Sequence, residues 1–465
     1  MAHSSNSIPY SFDFRNSYAV VWGEAQDPSD QRHDAYDIQD QRIANQLSQK
    51  LPPLYADAID LAAAVHCADR LALRGKKKQG WGRTLQLKVA VRCLSFWQSA
   101  SVRDALFESL QFLTQDSWQI SFEEKVSELR ASEAQEHLFD PSESQITEGS
   151  LYSGGLDSFA GITARISEKP EHHFLCIAVT PNHRQRQRQR EQLAFLHKEF
   201  GAKITHLPVR YCLRDAEKQP QESTRRTRGF LFAMIGGVAA LMAGSDTLRV
   251  YENGIGAINL PLDGSQIGID NSRSVHPITL RTLNRLLSLL GGHDFVIRNE
   301  CLYRTKAEMC SHPAVKRASL EIANAFSCDG FPVRRRKFAQ CGFCTSCLLR
   351  RQALEAAALA DMDSTDYGCD LREEGPFQPH HLRPLRAMHY QSARLLDALI
   401  APDAWAALTM EFPELRRIEE TVAADPSMRG QLVRLYGQHV KEWNSFSALR
   451  HLQQQSPTPV PTCVM

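Results

Sequence analysis

From Ile146 to Tyr251 short apolar runs alternate with stretches of helical spacing, the pattern of strands and helices laid down in turn. Ile146 to Tyr152 predicts a strand that runs into Gly154 and Gly155, and the apolar residues from Leu156 to Ile162 then recur at helical spacing. Phe174 to Val179 is an unbroken apolar run fit for a buried strand, Arg186 to Phe200 reads as a helix, and Lys203 to Leu207 as a strand. Gly229 to Ala243 is apolar on every side and predicts a buried helix, too short to be a membrane span. Thr247 to Tyr251 is the next strand and ends on Glu252-Asn253-Gly254. Such alternation predicts an α/β fold with a doubly wound parallel sheet. Ligands of such sheets bind beyond the carboxyl ends of the strands, which puts Ser153, Thr180 and Glu252 along one rim.

Outside this stretch the pattern differs. Residues 1–145 read as an α+β region: helix from Asp40 to Arg74, broken at Pro52-Pro53, then strands where Leu85, Leu87, Val89 and Val91, and later Trp118, Ile120 and Phe122, alternate with polar or small residues. No chemistry is legible there. Its first cysteine is Cys67, so it carries no amino-terminal cysteine nucleophile. Glu133 to Gly149 is polar, holds Pro141, and reads as a linker. The expected organisation is therefore 1–145 as an accessory domain, 146–370 as the α/β domain, 371–455 as a helical extension and 456–465 as part of a disordered tail that starts near Gln453.

Composition narrows the classes. The 465 residues are 43% hydrophobic and 23% charged with a formal net charge of +1, which fits a soluble multi-domain protein and argues against a general nucleic-acid coat. No apolar stretch is long enough to span a membrane, and the amino-terminal residues lack the order of a secretory signal. Twelve cysteines in so large a chain are no disulfide framework, and three of them are tightly grouped, so the expected location is cytoplasmic.

Two motifs carry most of the chemistry. In Ser153-Gly154-Gly155-Leu156-Asp157-Ser158 a strand, a tight turn and a helix start aim free N–H groups and a helix dipole at one spot, a place for phosphate. No Gly-Lys-Ser/Thr follows, so it is not a Walker A loop; it looks like the PP-loop of the ATP pyrophosphatases. The other reading is a glycine turn with Ser153 or Asp157 capping an ordinary helix. The second motif is Cys341-Gly-Phe-Cys344-Thr-Ser-Cys347 with Cys328 upstream, a set of soft thiolates that suits tetrahedral zinc. The alternative is a redox or persulfide-carrying pair. Cys310, further away in a predicted helix, is a poorer fourth ligand.

Other residues are open to two readings. Lys306 either neutralises charge on a phosphate or is a surface lysine at a helix start. Arg225, Arg226 and Arg228 either reach an anionic substrate or form a basic helix entry. The arginines of His183 to Arg190 are a solvated helix face or a phosphate or RNA track, and so are Arg334 to Lys337. Gly75 to Gly80, with three lysines, reads as a solvated loop or a phosphate contact. Asp263 and Asp270 hold loop turns, or Mg²⁺ or a base edge.

The order of the PP-loop-like motif, the basic patch, Arg228-Gly-Phe-Leu-Phe232, Thr305-Lys306-Ala-Glu308 and the late cysteines ending Cys347-Leu-Leu-Arg-Arg351 resembles the 7-cyano-7-deazaguanine synthase family, QueC, over about 146–360. PP-loops are shared with asparagine synthetases, NAD synthetases and tRNA-modifying enzymes; the late four-cysteine site is what favours QueC. The resemblance implies an adenine nucleotide alpha hydrolase-like fold and an ATP-dependent C–N ligase with Mg²⁺ and Zn²⁺. By matching position, Ser153, Gly154, Gly155, Leu156, Asp157 and Ser158 would cradle ATP phosphates. Asp157, Lys306 and Arg228 would serve catalysis, the last two by holding phosphate or the acyl-adenylate, and Cys328, Cys341, Cys344 and Cys347 would bind zinc. The substrate implied is 7-carboxy-7-deazaguanine or a related deazapurine, adenylated by ATP and converted by ammonia to the amide as AMP leaves; a second ATP then activates the amide for dehydration to the nitrile. The long form, with regions before and after the PP-loop domain, is similar to the QueC-like proteins of bacterial anti-phage operons. That resemblance implies transfer of the activated base to an amine on a partner protein from the same operon. A tRNA-modifying PP-loop enzyme, and a non-catalytic interaction protein on the same fold, are the remaining readings, and nucleic acid is a less favoured partner.

Overall fold

The computed structural model of the chain describes residues 9–15, 18–25, 27, 29, 31–74, 82–126, 129–135, 146–180, 182–214, 220–262, 272–330, 339–373, 376–422, 427–449 and 452. The lysine run Gly75 to Gly80, Asp263, Asp270, Arg334 to Lys337, the tail from Gln453 and residues 136–145 of the expected linker lie outside the described residues. The chain divides into two compact units, one formed by 1–153, 168–251 and 272–300, the other by 154–167, 252–271 and 301–465.

The first unit holds both sheets. Its eleven strands among the described residues are β1 (Pro9–Phe14), β2 (Ala19–Glu24), β3 (Arg32–Ile38), β4 (Thr84–Val91), β5 (Ser117–Glu124), β6 (Glu148–Leu151), β7 (His173–Val179), β8 (Lys203–Val209), β9 (Tyr211–Leu213), β10 (Thr247–Val250) and β11 (Val296–Asn299). One sheet has the order β11-β10-β6-β7-β8 and is parallel at every pairing. Strand order therefore reverses at β6, with β7 and β8 laid to one side and β10 and β11 to the other. That is the arrangement in which a crevice opens at the carboxyl ends of the two central strands. The helix Arg228–Met242 packs on β6, and glycines on both elements permit the approach. A Cβ on Gly149 would lie 3.3 Å from that of Ala240, and one on Gly236 would lie 2.6 Å from a Leu151 methyl. Those glycines explain a helix that is apolar all round, because its backbone lies close against the sheet.

The second sheet, β5-β4-β1-β2-β3-β9, is mixed: β1, β4 and β5 are parallel, and β2, β3 and β9 are antiparallel to their neighbours. The expected strands β4 and β5 are present. The sequence reading did not find β1, β2 and β3, although Tyr10, Phe12 and Phe14 point inward in strict alternation. Three residues from far along the chain, β9, complete this sheet, so the first 145 residues share their fold with later ones. Across it lies the helix Pro53–Leu71, expected from its spacing, with fifteen of its nineteen residues buried. Its buried acids are paired: Asp69 with Arg83 at 2.5 Å, Asp57 with Arg92 at 2.8 Å and Asp60 with Arg130 at 2.6 Å. Removing either member of such a pair would strand a charge, which fixes these partners more firmly than it stabilises the fold.

The second unit is helical among its described residues. Helices Thr345–Ala356, Pro379–Leu399 and Met428–Asn444 pack about Leu348, Leu371, Leu382, Leu385 and Trp443. The expectation of helices after about residue 370 agrees with this. Among the described residues no helix is long and apolar enough to cross a membrane.

Candidate active site and metal centre

The glycine turn follows β6, and the boundary between the two units falls between Ser153 and Gly154. On the first side, the Ser153 carbonyl accepts the side-chain amides of Gln185, at 3.0 Å, and Gln189, at 2.9 Å. Gln185 also accepts the Thr180 hydroxyl at 2.8 Å, so one amide ties together the two rim residues that follow β6 and β7. On the second side Gly154 has φ +76°, a left-handed conformation that favours glycine. Its carbonyl accepts the Phe326 N–H at 3.3 Å. The Gly155 carbonyl accepts the Phe159 N–H at 2.9 Å and the Ser158 hydroxyl at 3.1 Å, so the turn leads straight into the helix Leu156–Glu168. Leu156, Asp157 and Ser158 form its buried first turn.

Asp157 is the hub of the second unit's charged cluster. One of its carboxylate oxygens accepts the Lys306 ammonium and the other accepts the Asn253 side-chain amide at 3.1 Å. The same Asn253 nitrogen donates to Glu252 at 3.1 Å, while its carbonyl oxygen caps the short helix Gly254–Ile258 by accepting the Gly256 N–H at 3.0 Å. Lys306 opens the helix Lys306–Cys310, whose cap Thr305 is locked by a reciprocal pair with Glu308. The Thr305 hydroxyl donates to Glu442 at 2.8 Å, and Glu308 pairs with Arg434, so the long helix Met428–Asn444 buttresses the lysine. A lysine at a helix amino terminus opposes the helix dipole, and the Asp157 carboxylate overcomes that cost here. Lys306 is 5% exposed, which sets aside the surface-lysine reading.

The electrostatics are uneven. Burial and the Asp157 carboxylate push the Glu252 carboxyl up to about 8, against a smaller opposing pull from Lys306. Burial lowers the affinity of Lys306 for its proton, but Asp157 and Glu252 outweigh it and the ammonium is held more firmly than usual. At neutral pH the cluster is thus a carboxylate–ammonium pair beside a carboxyl that retains its proton, and a divalent cation would displace that proton. The two carboxyl groups, Asp157 and Glu252, offer oxygen ligands of the kind Mg²⁺ prefers.

Since the Glu252 carboxyl titrates higher when folded than when unfolded, its contribution to stability is full at acid pH. That contribution is lost as pH rises from about 5 through about 8. Glu252→Gln is therefore expected to be neutral at pH 5 and stabilising at pH 8.5, by about 1–3 kcal/mol. Thermal unfolding of both proteins across that range checks the crossover.

The sequence reading placed Glu252 on the rim but assigned it no role, and it did not single out Asn253. The available signal was a strand ending on Glu-Asn-Gly in an α/β pattern, where a polar residue at a strand's carboxyl end is placed for ligand. Arg228 belongs to the first unit, exposed, with its guanidinium 5.9 Å over the Phe232 ring. The Asp157 cluster is built within the second unit. Arg226 is buried and Arg225 exposed at φ +49°.

The four cysteines converge. The sulfurs of Cys328, Cys341, Cys344 and Cys347 lie within 4.8 Å of one another, and such a cluster can hold a metal such as zinc. Backbone N–H groups of Cys341 and Cys344 donate to the sulfurs of Cys328 and Cys341, at 3.5 and 3.3 Å, as expected where thiolate charge must be held. Cys347 lies in the first turn of the helix Thr345–Ala356, whose positive end favours the same charge. Gln340 fixes Cys328, its side-chain oxygen accepting the N–H groups of Ser327 and Cys328, each at 3.1 Å. Gly342 has φ +85°, and a Cβ there would lie 1.9 Å from the Cys369 carbonyl. Cys310 is buried in the helix Lys306–Cys310 and is not one of the four.

The segment that brings Cys328 to the cluster also brings Phe326 to the Gly154 carbonyl. Arg350 clamps it, donating to the carbonyls of Ile322 and Ala325 and pairing with Asp363 at 2.8 Å. The cysteine cluster and the glycine turn thus share one stretch of chain. Compared with protein-family models and with curated proteins, the chain gives no match.

Proposed function

We propose that the chain is an ATP-dependent C–N ligase of the PP-loop ATP pyrophosphatase kind, which adenylates 7-carboxy-7-deazaguanine and passes the activated base to an amine of a partner protein, in anti-phage defence. The observation that carries this reading is the convergence of Asp157, Lys306 and Glu252 directly after a glycine turn whose first glycine is left-handed. A carboxylate oxygen of the substrate attacks the α-phosphorus of ATP and pyrophosphate leaves. The amine nitrogen then attacks the acyl carbon, AMP leaves, and the amine gives up a proton as the amide forms. Neither step requires a side-chain nucleophile; both need fixed cations and donors around phosphate oxygens as charge develops. Lys306 supplies a cation held in place by its partners, and the turn from Ser153 to Ser158 supplies backbone N–H groups. Asp157 and Glu252 are the residues that would hold Mg²⁺, which when bound neutralises phosphate charge. The four cysteines would hold zinc in a closed, structural site. Binding of Mg²⁺ against Glu252 is expected to release a proton near pH 7.

The test gives the purified chain ATP, Mg²⁺ and 7-carboxy-7-deazaguanine, with ammonia in one arm and the operon-neighbour protein in another. AMP, pyrophosphate and a mass gain on the neighbour are the expected products. Nitrile in the ammonia arm without an adduct would make the chain a free 7-cyano-7-deazaguanine synthase. Absence of AMP and pyrophosphate in both arms overturns the deazaguanine assignment.

A further inference from the structure

A second candidate site lies within the first unit, where the helix Gln41–Leu47 and the helix His183–Phe200 both pack on β8. β8 is an edge strand of the parallel sheet and β9 an edge strand of the mixed one; Arg210 is the single residue between them. Its carbonyl is fixed by the Gln39 N–H at 2.9 Å, while its buried Nε has no hydrogen-bond partner. The buried Nε2 of His206, on β8, has none either.

Among the described residues no carboxylate pairs with Arg42, Arg186, Arg190 or Arg210; on the same helix Arg188 does have one, Glu191, at 3.4 Å. Arg186 and Arg190 are one helical turn apart and so share a face. Burial and then repulsion by Arg42 and Arg210 weaken the hold of Arg186 on its proton, and burial followed by Arg190 and Arg42 keeps His206 neutral, down to about 4. Arg42, which donates to the Gln39 side-chain oxygen at 2.8 Å, and Arg190 are exposed, and Arg186 and Arg210 are half-buried, so an anion that joined the four would relieve their repulsion. Elsewhere in this unit Arg83, Arg92 and Arg130 are each paired with acids.

Arg42 also lines a cavity of about 800 Å³ with Asn45, Gln46 and the paired Asp40 and Arg130; Gln39 and Gln41 line it too, with their side chains engaged by Arg42 and Gln135. Side-chain amides offer a donor and an acceptor together, the pairing that reads the edge of a nucleobase. Arginine forks suit phosphodiester oxygens better than single ammonium groups do. We propose that this cleft binds single-stranded nucleic acid, one base entering the amide-lined cavity while the flanking phosphates lie on Arg42, Arg186, Arg190 and Arg210. The site is independent of the ligase reading, since none of its residues belongs to the Asp157 cluster.

The test is fluorescence polarisation of the full chain with labelled, mixed-sequence 20-nucleotide RNA and DNA between 50 and 200 mM salt. Four phosphate contacts predict a slope of about −3 in log affinity against log salt. Arg186→Glu with Arg190→Glu should weaken binding at least about tenfold at 50 mM salt and flatten the slope by about 1–2. Asn45→Ala with Gln46→Ala should weaken it about three- to tenfold and leave the slope unchanged. Circular dichroism and pyrophosphate release should be unaltered in both, and the RNA and DNA arms show which strand is preferred. A slope near zero, unchanged binding in the glutamate variant, or equal binding of a 20-residue polyglutamate would overturn the proposal, the last by making the cleft a seat for acidic peptide.

Discussion

Asp157→Asn is expected to cut pyrophosphate formation by about 100- to 1,000-fold, the range for losing a preorganised charge at a site of phosphate chemistry. The substitution keeps the shape of the side chain and its contact with Asn253, and removes the charge that holds Lys306. The ammonium then turns to Glu252, which loses the repulsion that had kept its proton on and ionises at a lower pH. The cluster exchanges one carboxylate for another in a different place, so the fold should tolerate the change at a cost of about 1–3 kcal/mol. Lys306→Met has no such substitute. It leaves Asp157 facing Glu252 without a cation, and should be the more destabilising of the two at pH 8, where Glu252 would otherwise ionise. Pyrophosphate release with melting temperature, measured at pH 6 and pH 8, separates lost chemistry from lost folding. More than a tenth of normal release from a folded Asp157→Asn protein would mean the cluster is structural.

The cluster also shows where sequence reading stops. Phe174 to Val179 and Gly229 to Ala243 were legible because their signals are local: an unbroken apolar run, and helical length without a polar face. The cysteines were legible for the same reason, since Cys341, Cys344 and Cys347 repeat at one interval. The pairing of Asp157 with Lys306 joins residues 149 positions apart, and nothing in either neighbourhood encodes it. Only the motif order of a resembling family placed both in one site. β9 is invisible for a related reason: three residues carry no periodicity, and their pairing with β3 is decided by where the chain from β8 emerges. β1 is different. Its alternation of Tyr10, Phe12 and Phe14 was present and passed over, because a short strand beside polar residues competes with turn signals on both sides. Arg42, Arg186, Arg190 and Arg210 were half legible: the arginine run stood out, but its meaning depends on Arg42 and Arg210 arriving from other elements without acids.

Stripping the metal from the cysteine cluster is expected to be the most damaging change outside the Asp157 site. The purified chain should carry one zinc, and Cys347→Ser or a strong chelator should remove it. In small zinc domains the metal supplies on the order of 10–16 kcal/mol of apparent folding energy. Here the neighbouring helices keep their own core around Leu348, Leu382 and Trp443, so the expected loss is smaller, about 5 kcal/mol. That corresponds to a fall of roughly 10–20 °C in melting temperature. Gly342→Ala should act in the same direction with all four cysteines intact, because the new methyl group meets the Cys369 carbonyl and the residue must abandon its left-handed conformation. The damage should spread along a defined path. Cys328 anchors the segment whose Phe326 N–H holds the Gly154 carbonyl, so hydrogen exchange should rise at residues 322–328 and 339–356 and then at the glycine turn. Strands β4, β5 and β7 should keep their protection. ATP-dependent pyrophosphate release should fall with zinc content and return when zinc is restored to the chelated protein. Full activity with zinc gone would show that the knuckle and the glycine turn are energetically separate, and that the link through Phe326 carries nothing.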